Sequence, residues 1–310
     1  MNKTLYSLEK DLYIVLMNRL FNPDLDQLLF HYCSSNSFKA IIESGKLRFT
    51  DINMLNDSME HRWGYSIFEE AATRLIKRIG LSENAPTISR DFICLIDNEL
   101  SKGQLVAHPF VSCLSLDGNS LDQWRKYGDD GQGYAIGFKA ADLQSLGIRL
   151  LRVCYDKEKQ IKEMMAALVA IYYRSPELAQ PLTGEILEDI VLLSTFMSAM
   201  KHPSFASEKE IRCMRAISLS PIGKNFQFLD RGGVNLNGTA IPGEKVFFTN
   251  NSNFFTAHVD IPLSLPAHQT PIMEVMLGPK NRNNLGNIFL YLGGNGFTEI
   301  KVQTSGIPYR

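Results

Sequence analysis

The chain has 310 residues, of which 45% are hydrophobic and 21% are charged, so it can fill a substantial core and is not expected to be disordered as a whole. Its formal net charge of -1 excludes a strong overall field that would attract nucleic acid or an anionic membrane. The five cysteines show no CxxC spacing, which predicts neither a disulfide framework nor a cysteine zinc site.

The first 24 residues are predicted to form an N-terminal helix in front of a single domain of residues 25–310. Leucine and valine recur at steps of three and four residues from Leu5 to Leu20, and Pro23 follows as a helix breaker. Glu9 interrupts the apolar stretch, as do several other charged residues, so neither a signal peptide nor a membrane span is predicted. We therefore expect a cytoplasmic protein without a membrane partner.

A strand–helix–strand unit is predicted next. Residues 28–34 (LLFHYCS) and 46–50 (KLRFT) combine aromatic and aliphatic residues in strand-like runs. Residues 35–45 (SNSFKAIIESG) lie between them, have helical periodicity and end at a glycine, which often closes a helix. A second amphipathic helix is predicted over residues 65–79.

Two groups of candidate functional residues belong to this region. His31, Tyr32 and Ser34 place an imidazole, a phenol and a hydroxyl where the first strand enters its helix, a common position for ligand binding. A hydrogen-bonded core histidine with a packing tyrosine is the alternative, and it stays open. Asp57 and Glu60 lie in the LNDSME loop, where a turn residue and a carboxylate in the first turn of a helix would also explain them.

The centre of the chain alternates between predicted strands and a short helix. Residues 109–116 (PFVSCLSL) and 133–138 (GYAIGF) are predicted strands, and residues 120–128 (SLDQWRKYG) are predicted to be helical. Residues 148–156 (IRLLRVCYD) are predicted to be an antiparallel neighbour of the 133–138 strand.

Hydroxyl and aromatic side chains are concentrated in the same region. Ser112 and Ser115 precede Trp124 and Tyr127, and the two aromatic residues are three positions apart. Aromatic rings of this kind can stack on a nicotinamide or an adenine. Coverage of the core by Trp124 and Tyr127 is the alternative.

A helical insertion is predicted over about residues 157–202, with helices in residues 160–175 and 184–202 on either side of a segment rich in helix breakers. Strands are expected to resume after it. The predicted strands are residues 210–219, 253–263, 271–278 and 298–305.

The strand that follows the insertion carries the fourth group of candidates. A strand is expected to begin with Glu208 and Glu210, and its period of two places both carboxylates, and Arg212 with them, on the same face. Placing two like-charged carboxylates on one face beside an arginine costs free energy of folding, and such a costly arrangement favours a functional site. Exposed charges at the start of a strand are the alternative.

Taken in order, these phrases resemble a bacterial family, domain of unknown function 2971 (DUF2971). The phrases that carry the resemblance are residues 31–49, 55–60, 110–138, 204–212 and 272–280, together with Ser305 and Tyr309. Leu55 and Ser58 stand where the family commonly has phenylalanine and proline.

The opening unit is also similar to the NAD-binding start of ADP-ribosyltransferases. That resemblance implies that His31 contacts a ribose, that Tyr127 or Trp124 stacks on nicotinamide, that Glu210 is the catalytic carboxylate and that Glu208 is its companion acid. It further implies NAD-binding roles for Tyr32, Ser34, Ser112, Ser115 and Arg212. The implied fold is α+β, in the wider α/β class, with a mixed, largely antiparallel sheet.

The resemblance predicts an enzyme that uses NAD as co-substrate to modify a protein or nucleic-acid target, in the setting of a toxin or phage-defence effector. Two alternatives stay open. One is a sensor module that binds a nucleotide or a phage component without turnover. The other is a metal-dependent nuclease that uses Asp57, Glu60, Glu208 and Glu210. Outside that alternative no metal is expected, and the oligomeric state is left open.

Overall fold

The computed structural model describes residues 19–54, 59–83, 85–103, 107–174, 184–235, 238–251, 254–266 and 269–309. Most of the predicted N-terminal helix lies outside these residues. Leu20 forms an antiparallel bridge with Leu151, and backbone hydrogen bonds on either side of it join Phe21 to Leu150 and Arg152 to Arg19. The helix therefore does not continue to Asn22, because the backbone of these residues is already paired with a strand.

Helices and strands are interspersed along the described part of the chain. The helices are α1 (Ser35–Ser44), α2 (Met59–Ile76), α3 (Arg90–Gly103), α4 (Leu121–Lys126), α5 (Ala140–Ser145), α6 (Lys157–Arg174), α7 (Gly184–Met197) and α8 (Leu285–Gly294). The strands are β1 (Leu28–Cys33), β2 (Lys46–Asp51), β3 (Ala107–Ser115), β4 (Tyr134–Lys139), β5 (Arg149–Arg152), β6 (Glu210–Ile222), β7 (Asn225–Leu229), β8 (Gly233–Val234), β9 (Ala240–Ile241), β10 (Val246–Asn251), β11 (Phe254–Pro262), β12 (Ile272–Leu277) and β13 (Lys301–Thr304).

Eleven strands of the described part of the chain form one sheet. Its order is β10-β11-β2-β3-β1-β4-β12-β13, while β6 pairs with the other edge of β3 and carries β5 and β7. The pair β12–β13 is parallel and the other pairs of this sheet are antiparallel. The predicted class, α+β with a mixed and largely antiparallel sheet, is confirmed.

The predicted strand–helix–strand unit corresponds to β1, α1 and β2. The Ser34 hydroxyl caps α1 by accepting from the Ser37 amide, and Gly45 closes the helix with a φ of 60°. This left-handed conformation strains any residue with a Cβ, which explains the glycine. Phe38 and Ile41 then point into the core beneath the sheet.

The two largest hydrophobic clusters of the described residues contain most of the buried core. One lies between α1, α8 and one face of the sheet, and the other lies among α2, α3, α6 and α7. The predicted insertion at 157–202 thus corresponds to α6 and α7, which pack with α2 and α3 instead of standing apart. None of the helices in the described residues is long and apolar enough to cross a membrane.

The prediction that residues 148–156 neighbour the 133–138 strand is wrong. In the structure β5 pairs with β6, where Leu150 lies opposite Cys213. Both edges of β4 are already occupied, one by β1 and the other by β12. Strand order therefore departs from chain order at this point.

Candidate functional site

The sheet has a gap between β1 and β2, although both pair with the same edge of β3. β1 is registered with β3 through the pair of Phe30 and Ser115, whereas β2 is registered through Thr50 with Val111 and through Asp51 with Phe110. On this edge, the stretch of β3 between these points is paired with neither β1 nor β2. Such a separation of neighbouring strands leaves room for a ligand between them.

A cavity of about 700 Å³ lies at this gap, a size within the usual range for small-molecule sites. Polar and charged side chains dominate one part of its wall. The polar and charged lining residues are His31, Tyr32, Ser37, Ser44, Lys46, Arg48, Thr50, Ser112, Ser115, Gln123, Tyr127, Lys201, Glu208, Glu210 and Asp260. The other lining residues are Phe30, Ala40, Ile41, Leu47, Val111, Cys113, Leu114 and Phe205.

The charged part of the wall lies on one face of the sheet, which we call the upper face. Thr50 is registered with Val111 and Glu210 with Ser115, and registered pairs share a face. Alternation along β2 then places Arg48 on the same face as Glu210. The ionisable residues from β2 and β6 that line the cavity are therefore on one side of the sheet.

The opposite side of the cavity is its floor, formed by His31, Ser112 and the lining residues of α1. Phe30 is registered with Ser115, so the next residue, His31, faces away from the upper face. Ser112 alternates with Val111 and faces the same way. Helix α1 covers this side, because Phe38 packs in the core beneath the sheet.

An ionic cluster occupies the upper face at the start of β6. Lys201 Nζ lies 2.7 Å from Glu208 Oε2 and 3.0 Å from Glu210 Oε2, and all three side chains are almost completely buried. Lys126 adds a second ammonium group 3.3 Å from Glu208 Oε1, and Arg212 donates to Glu210 Oε1 at 2.7 Å. Lys201, which the sequence analysis did not identify, is the residue that joins the two carboxylates.

Glu210 is held in its ionised form. Burial alone would raise its pKa, but the charges of Arg212 and Lys201 and a hydrogen bond from Cys113 outweigh burial and lower the pKa to about 2. The Glu210 amide also donates to the Tyr155 hydroxyl at 3.0 Å. At neutral pH this carboxylate can accept hydrogen bonds and stabilise positive charge, but it cannot act as a general acid.

Glu208 reaches the cluster by a different route from the one that strand periodicity predicts. It ends a 3₁₀ helix, Pro203–Glu208, and Lys209 follows with a φ of 45°, so β6 begins only at Glu210. The expectation that both acids share one strand is wrong for this reason. The two carboxylates still meet, because both bind Lys201.

Tyr127 lies beside this cluster at the cavity wall. Its hydroxyl donates to Glu208 Oε1 at 3.1 Å, and burial together with the Glu208 charge raises the pKa of the phenol. The side chain is 43% exposed, so part of it remains accessible at the cavity. Gln123 and Ser115 donate to the Glu208 carbonyl and fix its backbone.

His31 is neutral and has a defined tautomer. Its Nδ1 lies 3.2 Å from the Cys113 carbonyl, which can only accept, so Nδ1 carries the proton. Burial lowers the pKa of the ring against the opposing effect of this hydrogen bond. The hydrogen bond links β1 to the stretch of β3 beside the gap and leaves Nε2 of His31 as an acceptor.

Further residues predicted for the site are held by structural partners. Tyr32 lines the cavity, but its hydroxyl donates to the Asp117 carbonyl and accepts from the Ser120 amide. Trp124 is fully buried, packs edge-on against Tyr32 and donates to the Asn119 side chain. Ser34 caps α1, and Arg212 is buried between Glu210 and the Ser198 carbonyl. Ser34, Trp124 and Arg212 are not among the residues that line the cavity.

Asp57 lies outside the described residues, as does the side chain of Glu60. Within the described ranges there is no group of three or more His, Cys, Asp or Glu side chains that could hold a metal ion. Between Glu208 and Glu210 the positive charge is supplied by Lys201.

The site can now be compared with known proteins. The family model described as "Protein of unknown function (DUF2971)" matches residues 123–213. This DUF2971 match begins at Gln123, includes Tyr127 and Lys201, and ends three residues after Glu210. It supports the central part of the predicted resemblance, while His31 and Ser112 lie outside it. No curated protein and no solved structure matches the chain.

Proposed function

We propose that the chain is an ADP-ribosyltransferase-like enzyme that binds NAD, or a related nucleotide, in the cavity between β1 and β2. One observation carries the proposal: His31, Tyr127 and Glu210, which come from three distant parts of the chain, line the same cavity. These are the ribose contact, the stacking aromatic and the catalytic carboxylate that the resemblance implies. The same resemblance favours a protein or nucleic-acid target and a toxin or phage-defence setting.

The chemistry suits the charges of the site. When the bond between ribose C1′ and the nicotinamide nitrogen breaks, its electron pair leaves with nicotinamide and positive charge develops on the ribose. The ionised Glu210 stabilises that charge, and the target's nucleophile then gives its lone pair to C1′ and loses its proton to solvent. The exposed part of the Tyr127 ring supports the leaving base.

A second function, binding without turnover, is favoured by the ion pairs of Glu210. Arg212 and Lys201 already bind its two oxygens, at 2.7 and 3.0 Å, so part of its charge is compensated before any ligand enters. A compensated carboxylate stabilises a developing cation less well. A metal-dependent nuclease has less support, since an ammonium group lies between the two described carboxylates where a metal ion would be needed.

The experiment is incubation of the purified chain with labelled NAD and cell lysate, with nicotinamide release and label transfer measured. We expect release by the wild type and a loss of at least tenfold in Glu210→Gln, which keeps the shape but removes the charge. Glu299→Gln, an exposed carboxylate at the far end of the chain, is the matched control and should match the wild type.

Because Glu210→Gln could disturb folding, circular dichroism accompanies it and Tyr127→Ala serves as a second variant at a partly exposed position. NAD binding without nicotinamide release would favour the sensor function. If the wild type neither binds NAD nor releases nicotinamide, the proposal is wrong.

A further inference from the structure

We propose that the cavity floor binds an uncharged group that donates a hydrogen bond, with His31 Nε2 as its acceptor and the Ser112 hydroxyl as its second partner. The inference rests on the proposed function for the identity of the whole ligand. In NAD such a group is the carboxamide, the adenine amine or a ribose hydroxyl. Ser112 and His31 then decide which end of the nucleotide enters the floor.

The first observation is the Ser112 hydroxyl. The residue is 4% exposed and lines the cavity, yet its Oγ has no hydrogen-bond partner among the described residues. Buried hydroxyl groups are nearly always paired, because an unpaired one loses its hydration without compensation. A ligand group that enters the floor would supply the missing partner.

The second observation is the state of His31. Its Nδ1 proton is directed to the Cys113 carbonyl, so the remaining ring nitrogen, Nε2, presents a lone pair. A lone pair binds a donor and disfavours an anion. The ring lines the same cavity as Ser112 and lies on the same side of the sheet, which allows one ligand group to contact both.

The third observation is the separation of charge within the cavity. The apolar side chains of Ile41, Leu47 and Leu114 accompany His31 and Ser112 on the floor side. The lining cations Lys46, Arg48 and Lys201 belong to the upper face, since Lys46 alternates with Arg48 along β2. Arg48 binds Asp260 there through two hydrogen bonds of 2.8 and 3.0 Å. Anionic parts of a ligand are therefore expected on the upper face and uncharged donors in the floor.

The test is ligand-observed NMR on the full chain with nicotinamide, adenosine and ribose as neutral probes and nicotinate as the anionic control. NAD is titrated in parallel by calorimetry. We expect at least one neutral probe to bind, and nicotinamide to bind better than nicotinate if the carboxamide is the group in the floor. Ser112→Ala should weaken the binding of that probe and of NAD by about three- to tenfold, which corresponds to the loss of one hydrogen bond. Ser264→Ala, at an exposed serine, is the matched control.

Thermal unfolding separates binding from folding, because Ser112→Ala removes an unpaired hydroxyl and should not lower the unfolding temperature. NAD binding that is unchanged in Ser112→Ala overturns the floor assignment but leaves the proposed function intact. A neutral probe that depends on Ser112 while NAD does not bind supports the floor and overturns the proposed function. If no neutral probe binds, or if nicotinate binds in the floor with the same affinity as the neutral probes, the inference is wrong.

Discussion

Lys201 Nζ lies between the carboxylates of Glu208 and Glu210, 2.7 Å from the first and 3.0 Å from the second. The lysine follows the α6–α7 insertion and the glutamates flank the start of β6, so the insertion and the sheet are joined by a buried ionic contact. Gln160 fixes the Lys201 backbone by donating to its carbonyl at 2.8 Å.

Lys201→Met is expected to destabilise the chain by about 3–5 kcal/mol, since it leaves two buried carboxylates without their shared cation. Urea unfolding measures the change. Lys39→Met is the matched control: Lys39 also pairs with a glutamate, but on the surface of α1, where a pair contributes about 1 kcal/mol or less. Equal losses in the two variants would contradict the assigned importance of the buried cluster.

The stability contributed by Glu210 should depend on pH in a defined window. Its pKa in the folded chain is lowered from 4.5 to about 2, so the folded state binds fewer protons than the unfolded state between these values. The contribution is complete above pH 4.5 and is lost as the pH falls toward 2. Unfolding curves of the wild type and Glu210→Gln, measured by urea titration at a series of pH values, should therefore converge over this range.

Gly133→Ala is expected to destabilise the fold by about 3 kcal/mol or more. A Cβ at this position would lie 2.1 Å from the Cys33 carbonyl oxygen and 2.9 Å from the Gly128 carbonyl oxygen, and backbone atoms cannot move aside cheaply. Gly293→Ala in α8 is the control, because its Cβ would meet nothing within 4 Å and alanine favours a helix by up to about 1 kcal/mol. Thermal unfolding of the two variants should shift in opposite directions or, at least, by very different amounts.

The C-terminal tail should stabilise the turn that follows α4. The Tyr309 hydroxyl donates to Asp130, and the Lys280 ammonium lies 4.0 Å above the Tyr309 ring. Tyr309→Ala is expected to cost about 1–2 kcal/mol in a urea titration. Phe226→Ala, which truncates an aromatic ring that is 68% exposed, should cost less. The assignment would be refuted by an equal loss in the two variants.

The parts of the fold that depend on local pattern could be predicted from sequence. The β1–α1–β2 unit follows from strand-like runs around a helix that ends at Gly45, and α6 and α7 follow from apolar periodicity. Pairings that join distant segments could not be predicted, as with β5 and β6. Helix α3 was not predicted either, and it packs against α7 from a distant part of the chain. Strand β10 was also not predicted, although its partner β11 is the next strand along the chain.

Some of the residues predicted for the site lie together in the structure, although their local arrangement differs from the expected one. His31, Tyr127 and Glu210 line one cavity, but the left-handed Lys209 removes Glu208 from the strand that period-two reasoning requires. Lys201 gave no local signal, since a lysine after an apolar helix suits a solvated end equally well. Only the tertiary fold brings it to both carboxylates.

The gap beside β3 also has a mechanical consequence. On one side of it β1 continues into β4, β12 and β13, and on the other side β2 continues into β11 and β10. These two halves of the sheet are joined through β3, at Ser115 for one and near Val111 for the other. Because β1 and β2 are not hydrogen-bonded to each other across the gap, the width of the cavity depends on the angle at which the two sheet halves leave their common strand, and any change in that angle would change this width.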